Sequence, residues 1–250
     1  MDAKKIIIGF LFLLTSSLFA NDYVLVTDLD DTLKVTNGKH TGSMIGNALF
    51  RRKVFAGMPT LFDEIKAAGV ERSYLLSASP SLLMWSVKRL LRKHRLWFNG
   101  IYLSRTRDLF RKREYKLSRL ERIIGRTKGK LILFGDNQSI DHEIYTEIKK
   151  RHPDRIAKIY IHRVQPTPIP KTVFEYITPL EVALDLKGIL TEEQVYNVAK
   201  AMENNRKFRR LVPKFAVCPT EPWIGKAYSD LAYVTALENR VNTACKNRQD

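Results

Sequence analysis

Val24-Leu25-Val26-Thr27-Asp28-Leu29-Asp30-Asp31-Thr32-Leu33 is the stretch on which the reading of the fold turns. Tyr23 to Thr27 is apolar and β-branched, the composition of a buried strand, and it runs straight into Asp28. Two later strands end in the same way: Ser73 to Leu76 stops at Ser77, and Lys130 to Phe134 runs through Gly135 into Asp136. Helical patterns separate them. Pro59 opens one with Leu61, Phe62, Ile65 and Ala68 on one face, closed by Gly69. Pro80 opens another with Leu82, Leu83, Val87, Leu90 and Leu91 on one face. Ile101 to Leu103 is a short strand, Leu117, Leu120, Ile123 and Ile124 mark a helix, Ile144 and Ile148 a further one, and Ile156 to Ile161 a strand. Strands alternating with helices predict an α/β fold, a Rossmann-like parallel sheet covered on both faces. Ligand sites of such sheets gather at the carboxyl ends of the strands, so Asp28, Ser77 and Asp136 are expected to meet in space.

Outward from this unit the chain changes character. Gln165-Pro166-Thr167-Pro168-Ile169-Pro170 reads as a linker, and residues 180–186, 192–204 and 230–247 read as helices, with Thr191 and Gln194 spaced as a capping box. At the other end Lys4 and Lys5 precede the apolar run Ile6 to Leu14, and a small residue, Ala20, closes the segment. This is the form of a secretory signal cleaved after Ala20, with a retained anchor as the alternative. The run is shorter than the roughly 20 residues that span a bilayer. Residues 1–20 are therefore read as a signal peptide, 21–164 as the α/β domain and 165–250 as the linker and helical extension. A secreted or periplasmic location follows, with no membrane-spanning segment in the mature chain. Cys218 and Cys245 are the only cysteines, and in an exported chain they form either one disulfide or two buried thiols.

The strand-end D-x-D-x-T at Asp28 to Thr32 resembles the first motif of the haloacid dehalogenase superfamily. A strand-end Ser77, a Lys116 opening a helix, and a strand-end Gly135-Asp136 followed by Asp141 complete that order of elements. DLDDTLKVT (Asp28 to Thr36), LSASP (Leu76 to Pro80) and GDNQSIDHEIY (Gly135 to Tyr145) are similar to the phosphatidate phosphatase catalytic domain of the actin-patch-associated type, distantly lipin-like, over about Tyr23 to Val164. Ala78 stands where that family has Asn, and His142 where it has Pro; neither departure removes a catalytic group. The resemblance implies a haloacid dehalogenase-type sheet, here with little or no cap because Thr32 and Pro59 lie close in sequence. The activity it implies is a phosphoric monoester hydrolase producing diacylglycerol from phosphatidate. Asp28 is expected to attack phosphorus and form an aspartyl phosphate. Asp30 is expected to act as general acid and then base. Ser77 and Lys116 are the expected phosphate-binding groups, Lys116 being preferred over Lys112 and Arg113 by its place before Leu117 and Leu120. Carboxylates this close repel one another without a cation, so Asp28, the Asp30 backbone carbonyl, Asp136 and Asp141 are expected to hold Mg. Thr32 is read as structural and Asp31 as capping the turn.

Composition narrows the partners. Hydrophobic residues are 44% of the 250, enough for a core, while 43 basic against 26 acidic residues give a net charge of +17. Between Lys88 and Lys130 sixteen Lys/Arg face three Asp/Glu, a local net of +13. Such an excess attracts anionic partners. An anionic phospholipid membrane surface, bound peripherally, is the expected one, with Trp85, Trp97 and Phe98 either at that interface or in the core. Nucleic acid is the rival partner, and soluble or nucleic-acid phosphomonoesters are the rival substrates. A catalytically silent anionic-lipid-binding domain is the third reading, opposed by the presence of Asp30.

Overall fold

The computed structural model describes residues 23–36, 53–105, 108, 111–205, 210–219 and 223–247. The expected signal peptide, and the stretch 37–52 where a cap would be inserted, lie outside them. Six strands form one sheet: β1 (Tyr23–Thr27), β2 (Val70–Pro80), β3 (Gly100–Ser104), β4 (Lys130–Asp136), β5 (Ile156–His162) and β6 (Phe174–Tyr176). All pairings are parallel and the order is β3-β2-β1-β4-β5-β6. The chain builds outward from β1 on one side, then crosses to β4 on the other. The order therefore reverses between β1 and β4, the place where α/β sheets open a crevice.

Seven α-helices cover this sheet among the described residues: α1 (Met58–Ala67), α2 (Met84–Lys93), α3 (Lys112–Ile124), α4 (Asp141–Arg151), α5 (Pro179–Asp185), α6 (Glu192–Glu203) and α7 (Ala232–Lys246). The strands are apolar on both faces, and alternate residues serve different cores. Val24, Val26, Leu131 and Leu133 pack with Leu120 and Ile123 of α3 and Ile144 and Ile148 of α4. Leu25, Ile132, Phe134 and Tyr160 face the other way, onto α1, α2 and the C-terminal helices. The architecture is the Rossmann-like α/β sheet that the alternation predicts. Among the described residues no helix is long and apolar enough to cross a membrane.

Several details differ from the sequence reading. β6 lies beyond the Pro-rich stretch and still joins the sheet beside β5; at three residues it is too short to announce itself by alternation. Leu82, assigned to the buried face of a helix begun at Pro80, is 88% exposed. A 3-10 turn, Ser81–Leu83, precedes α2, so the 3.6-residue period does not extend back to it. Lys116 lies in the second turn of α3 rather than at its start. Phe98 is core, whereas Trp85 and Trp97 are 62% and 63% exposed.

The C-terminal helices are closed by matched caps. Thr191 and Gln194 exchange the bonds of a capping box at α6, and Glu181 accepts the Ile177 and Thr178 N–H groups ahead of α5. The Arg240 guanidinium of α7 donates to the carbonyls of Met202, Glu203 and Asn205 at the end of α6. Cys218 and Cys245 form a disulfide, which ties the end of α7 to the preceding loop.

Candidate active site

The register of the sheet brings the strand ends together. Thr27 pairs with Leu75 on one side and Phe134 on the other, so Ser77 and Asp136 both lie one residue past the level of Asp28. The Asp28 N–H donates to the Phe134 carbonyl at 2.8 Å, continuing the ladder to the last residue before the chain turns away. There the turn is tight. Asp31 adopts a left-handed φ of 55°, and its carboxylate accepts the Thr36 N–H at 2.9 Å while its own N–H donates to Thr36 Oγ1. Asp31 thus caps the turn as expected, with Thr36 as its partner. Thr32 is fully buried, its hydroxyl without a hydrogen-bond partner among the described residues.

Lys116 reaches this edge from α3. Its ammonium donates to Asp28 Oδ1 at 2.9 Å and to Asp141 Oδ1 at 2.5 Å, with all three groups buried. Asp141 is the first residue of α4 and stands against the strand because Gly135 lies opposite. A Cβ on Gly135 would sit 2.6 Å from the Asp141 Cβ and 2.9 Å from the Tyr145 ring. Tyr145 fixes the next turn of α4 by donating to the Phe134 carbonyl at 3.1 Å. Asp136 is held by the loop that follows it: the Gln138 and Ser139 N–H groups and the Ser139 hydroxyl all donate to its carboxylate. Asn137 staples that loop outward, accepting the Val164 and Gln165 N–H groups and donating to the Gln165 and Thr167 carbonyls.

Ligand oxygens of Asp28, Asp136 and Asp141 lie within 4.8 Å of one another, a group able to hold a metal ion. Three buried carboxylates face one buried ammonium, and the electrostatics reflect the imbalance. Burial lifts the Asp28 carboxyl to about 7; Lys116 opposes the rise, while Asp141 and Asp30 add to it. Burial, followed by the charges of Asp141 and Asp28, pushes Asp136 well above the usual carboxylate range. For Lys116 burial works against the charge, but Asp141 and Asp28 outweigh it and hold the ammonium protonated. A divalent cation would correct the excess negative charge, and one buried atom is ready for it: Asp141 Oδ2 has no hydrogen-bond partner among the described residues.

Asp30 sits apart from this cluster, its side chain 32% exposed at the mouth. Ser79 Oγ donates to Asp30 Oδ2 at 2.6 Å, and the Lys34 ammonium lies 3.7 Å from Oδ1. Ser77 is buried and its Oγ accepts the Ser79 N–H at 3.0 Å, which leaves its O–H free to donate. Asp28, Ser77, Lys116, Asp136 and Asp141 are thus gathered at the β1/β4 edge, with Asp30 at its rim. Ser79 and Ser139 were not singled out from sequence. Ser79 belongs to the quoted LSASP stretch, but its partner lies 49 residues away, a pairing that no spacing reveals.

Residues 23–163, more than half of the chain, match the family model of the phosphatidate phosphatase APP1 catalytic domain. The chain belongs to this family. No curated protein and no solved structure matches it. All the candidate groups lie inside the matched span, so the acidic cluster with its lysine falls in the catalytic domain of a phosphatidate phosphatase, a phosphoric monoester hydrolase.

Proposed function

We propose that this protein is an exported, magnesium-dependent phosphatidate phosphatase of the haloacid dehalogenase superfamily that works through an aspartyl phosphate on Asp28. The observation that carries the reading is the buried Asp28–Lys116–Asp141 chain beside Asp136 at the reversal of strand order. An all-oxygen donor set with one unpartnered buried carboxylate oxygen fits a hard divalent cation. Asp28, Asp136 and Asp141, with the Asp30 backbone carbonyl, would hold it, and the ion when bound supplies positive charge against the repulsion between nucleophile and phosphate.

The chain's own groups account for the remaining steps. Lys116 holds Asp28 Oδ1, which leaves Oδ2 for attack on phosphorus. Ser77 O–H and the Lys116 ammonium meet the phosphoryl oxygens. As the bond from Asp28 to phosphorus forms and the ester P–O bond breaks, Asp30 gives its proton to the departing oxygen. In the second half Asp30 takes a proton from water, water attacks phosphorus, and the Asp28–phosphorus bond breaks to release phosphate. The Ser79 hydroxyl holds Asp30 toward the site during both transfers. Export is supported by the signal-like composition of residues 1–20 and by the Cys218–Cys245 disulfide, which suits an oxidising compartment.

Phosphate release from phosphatidate vesicles and from a panel of soluble phosphomonoesters, with magnesium and with chelator, tests the reading. Magnesium-dependent release strongest on phosphatidate, falling on the order of 1,000-fold or more in Asp28→Asn, is expected. Release from soluble or nucleic-acid esters alone would sink the lipid substrate and keep the mechanism. Full activity in Asp28→Asn would sink the mechanism. Export is checked by the N-terminus of the protein recovered outside the cytoplasm, expected at Asn21.

A further inference from the structure

The segment after Ser79 carries an arrangement that catalysis does not use. β2 ends at Pro80, the 3-10 turn follows, and α2 then runs back along the sheet. Leu82 is 88% exposed and Trp85 62% exposed, although both are large and apolar. Behind them on the outer face of α2 come Lys88, Arg89, Arg92 and Lys93, all exposed, while Val87, Leu90 and Leu91 hold the inner face against the core. The Arg89 guanidinium lies 5.2 Å from the centre of the Trp85 ring. No acidic residue occurs between Glu71 and Asp108. Leu82 is three residues from Ser79, so this tip lies within roughly 10 Å of chain from the group that holds Asp30. Exposed Arg105, Arg111 and Lys112, at the carboxyl end of β3 and the start of α3, continue the basic rim along the same edge.

Building on the reading of this site as a phosphatidate phosphatase, we propose that the amino-terminal end of α2 docks the enzyme on an anionic phospholipid bilayer. Leu82 and Trp85 enter the headgroup region while Lys88 and Arg89 lie on lipid phosphates. The division of chemistry along one surface argues for this occupant: apolar side chains at the tip, then cations one turn behind, matching the apolar and anionic layers of a bilayer in that order. A nucleic acid strand would use the tryptophan and the cations but gives exposed Leu82 nothing to bury against. Docking by this end turns the mouth at Asp30 and Ser79 toward the membrane, where a lipid phosphomonoester stands. Trp97 precedes β3, at the opposite edge of the sheet, and takes no part.

Co-sedimentation of the purified protein with phosphatidylcholine vesicles, with and without phosphatidylglycerol, tests the docking. Neither lipid is a phosphomonoester, so binding is read apart from hydrolysis, and failure of the phosphatase reading leaves this result standing. Binding is expected only where phosphatidylglycerol is present, weakening as salt rises. Leu82→Ser and Trp85→Ala should each lower partitioning roughly tenfold or more, with the melting temperature unchanged because both side chains are exposed. Joint Lys88→Glu and Arg89→Glu should abolish the preference for anionic vesicles. A second readout is the blue shift of tryptophan emission on vesicle addition, expected in the parent and absent in Trp85→Phe. Undiminished partitioning in Leu82→Ser and Trp85→Ala overturns the proposal. So does a loss in these variants of single-stranded nucleic acid binding with vesicle binding unchanged.

Discussion

At the carboxyl edge of β1 and β4 three buried carboxylates lie within 4.8 Å of one another, two of them bonded to one buried ammonium, whereas among the described residues the C-terminal helices bury Val195, Val198, Leu237 and Val241 and one carboxyl group, Glu181. The first region concentrates charge that burial disfavours, and balances it only in part through Lys116. The second is an apolar layer fastened by a disulfide, the Thr191–Gln194 capping box, the Glu181 carboxylate ahead of α5 and the Arg240 clamp on α6. Placing them on one sheet lets a stable scaffold carry a site that is poised for a cation and costs stability without one.

The contrast breaks most sharply at Lys116. Lys116→Met strips the buried ammonium from Asp28 and Asp141, and a loss of about 3–5 kcal/mol is expected in chelator-treated protein, read by urea denaturation. Added magnesium should restore part of it, whereas a tail variant should gain nothing from the ion. The tail has its own large test. Joint Cys218→Ser and Cys245→Ser opens a closure spanning 27 residues, worth roughly 3–4 kcal/mol by chain entropy. That loss should be the same with or without magnesium, which separates the two regions cleanly.

Gly135→Ala is the smaller intervention at the site. The new Cβ has neither free space nor a flexible neighbour to displace, since it meets the Asp141 Cβ and the Tyr145 ring. A cost of about 1–3 kcal/mol is expected, together with weakened magnesium affinity as Asp141 is driven off the strand. At Glu181 the effect appears as a slope. Burial raises its carboxyl from 4.5 to about 8, against the lowering effect of the N–H groups it accepts. The folded state therefore keeps its proton where the unfolded chain has lost it. The associated stability is full below pH 4.5 and is lost as pH rises toward about 8. Glu181 should contribute at most about 1.4 kcal/mol per pH unit to the fall in stability across that window, and Glu181→Gln should remove that share of the slope.

The site was more legible in the sequence than its supports. Asp28 and Asp136 end continuous apolar strands, a pattern that fixes both the element and the edge on which the side chain emerges. Lys116 was found by the apolar helix face that follows it, although that helix starts a full turn earlier. The hydroxyl of Ser79 on Asp30 and the amide of Asn137 on the Pro-rich stretch are contacts between distant segments, and one-dimensional spacing holds no trace of them. β6 escaped because three residues cannot show alternation. Leu82 was placed on the wrong face because one helical period was carried through a turn with a different one. The partnership of Cys218 with Cys245 was left open because sequence shows how many cysteines there are but not how near they come.

The wholly parallel sheet has a consequence in time. Among the described residues no two strands are joined by a hairpin, and β1, an interior strand, pairs along its whole length with β4, Tyr23 opposite Lys130, more than a hundred residues on. A chain built this way has high contact order and folds slowly. Asp28 follows β1 directly, whereas Lys116, Asp136 and Asp141 come far later in the chain, so the charged cluster at this edge is complete only once β4 and the helices beside it have joined β1. Refolding is expected to be slow, with the yield of folded protein falling as protein concentration rises, because β1 stays unpaired on one side until β4 arrives.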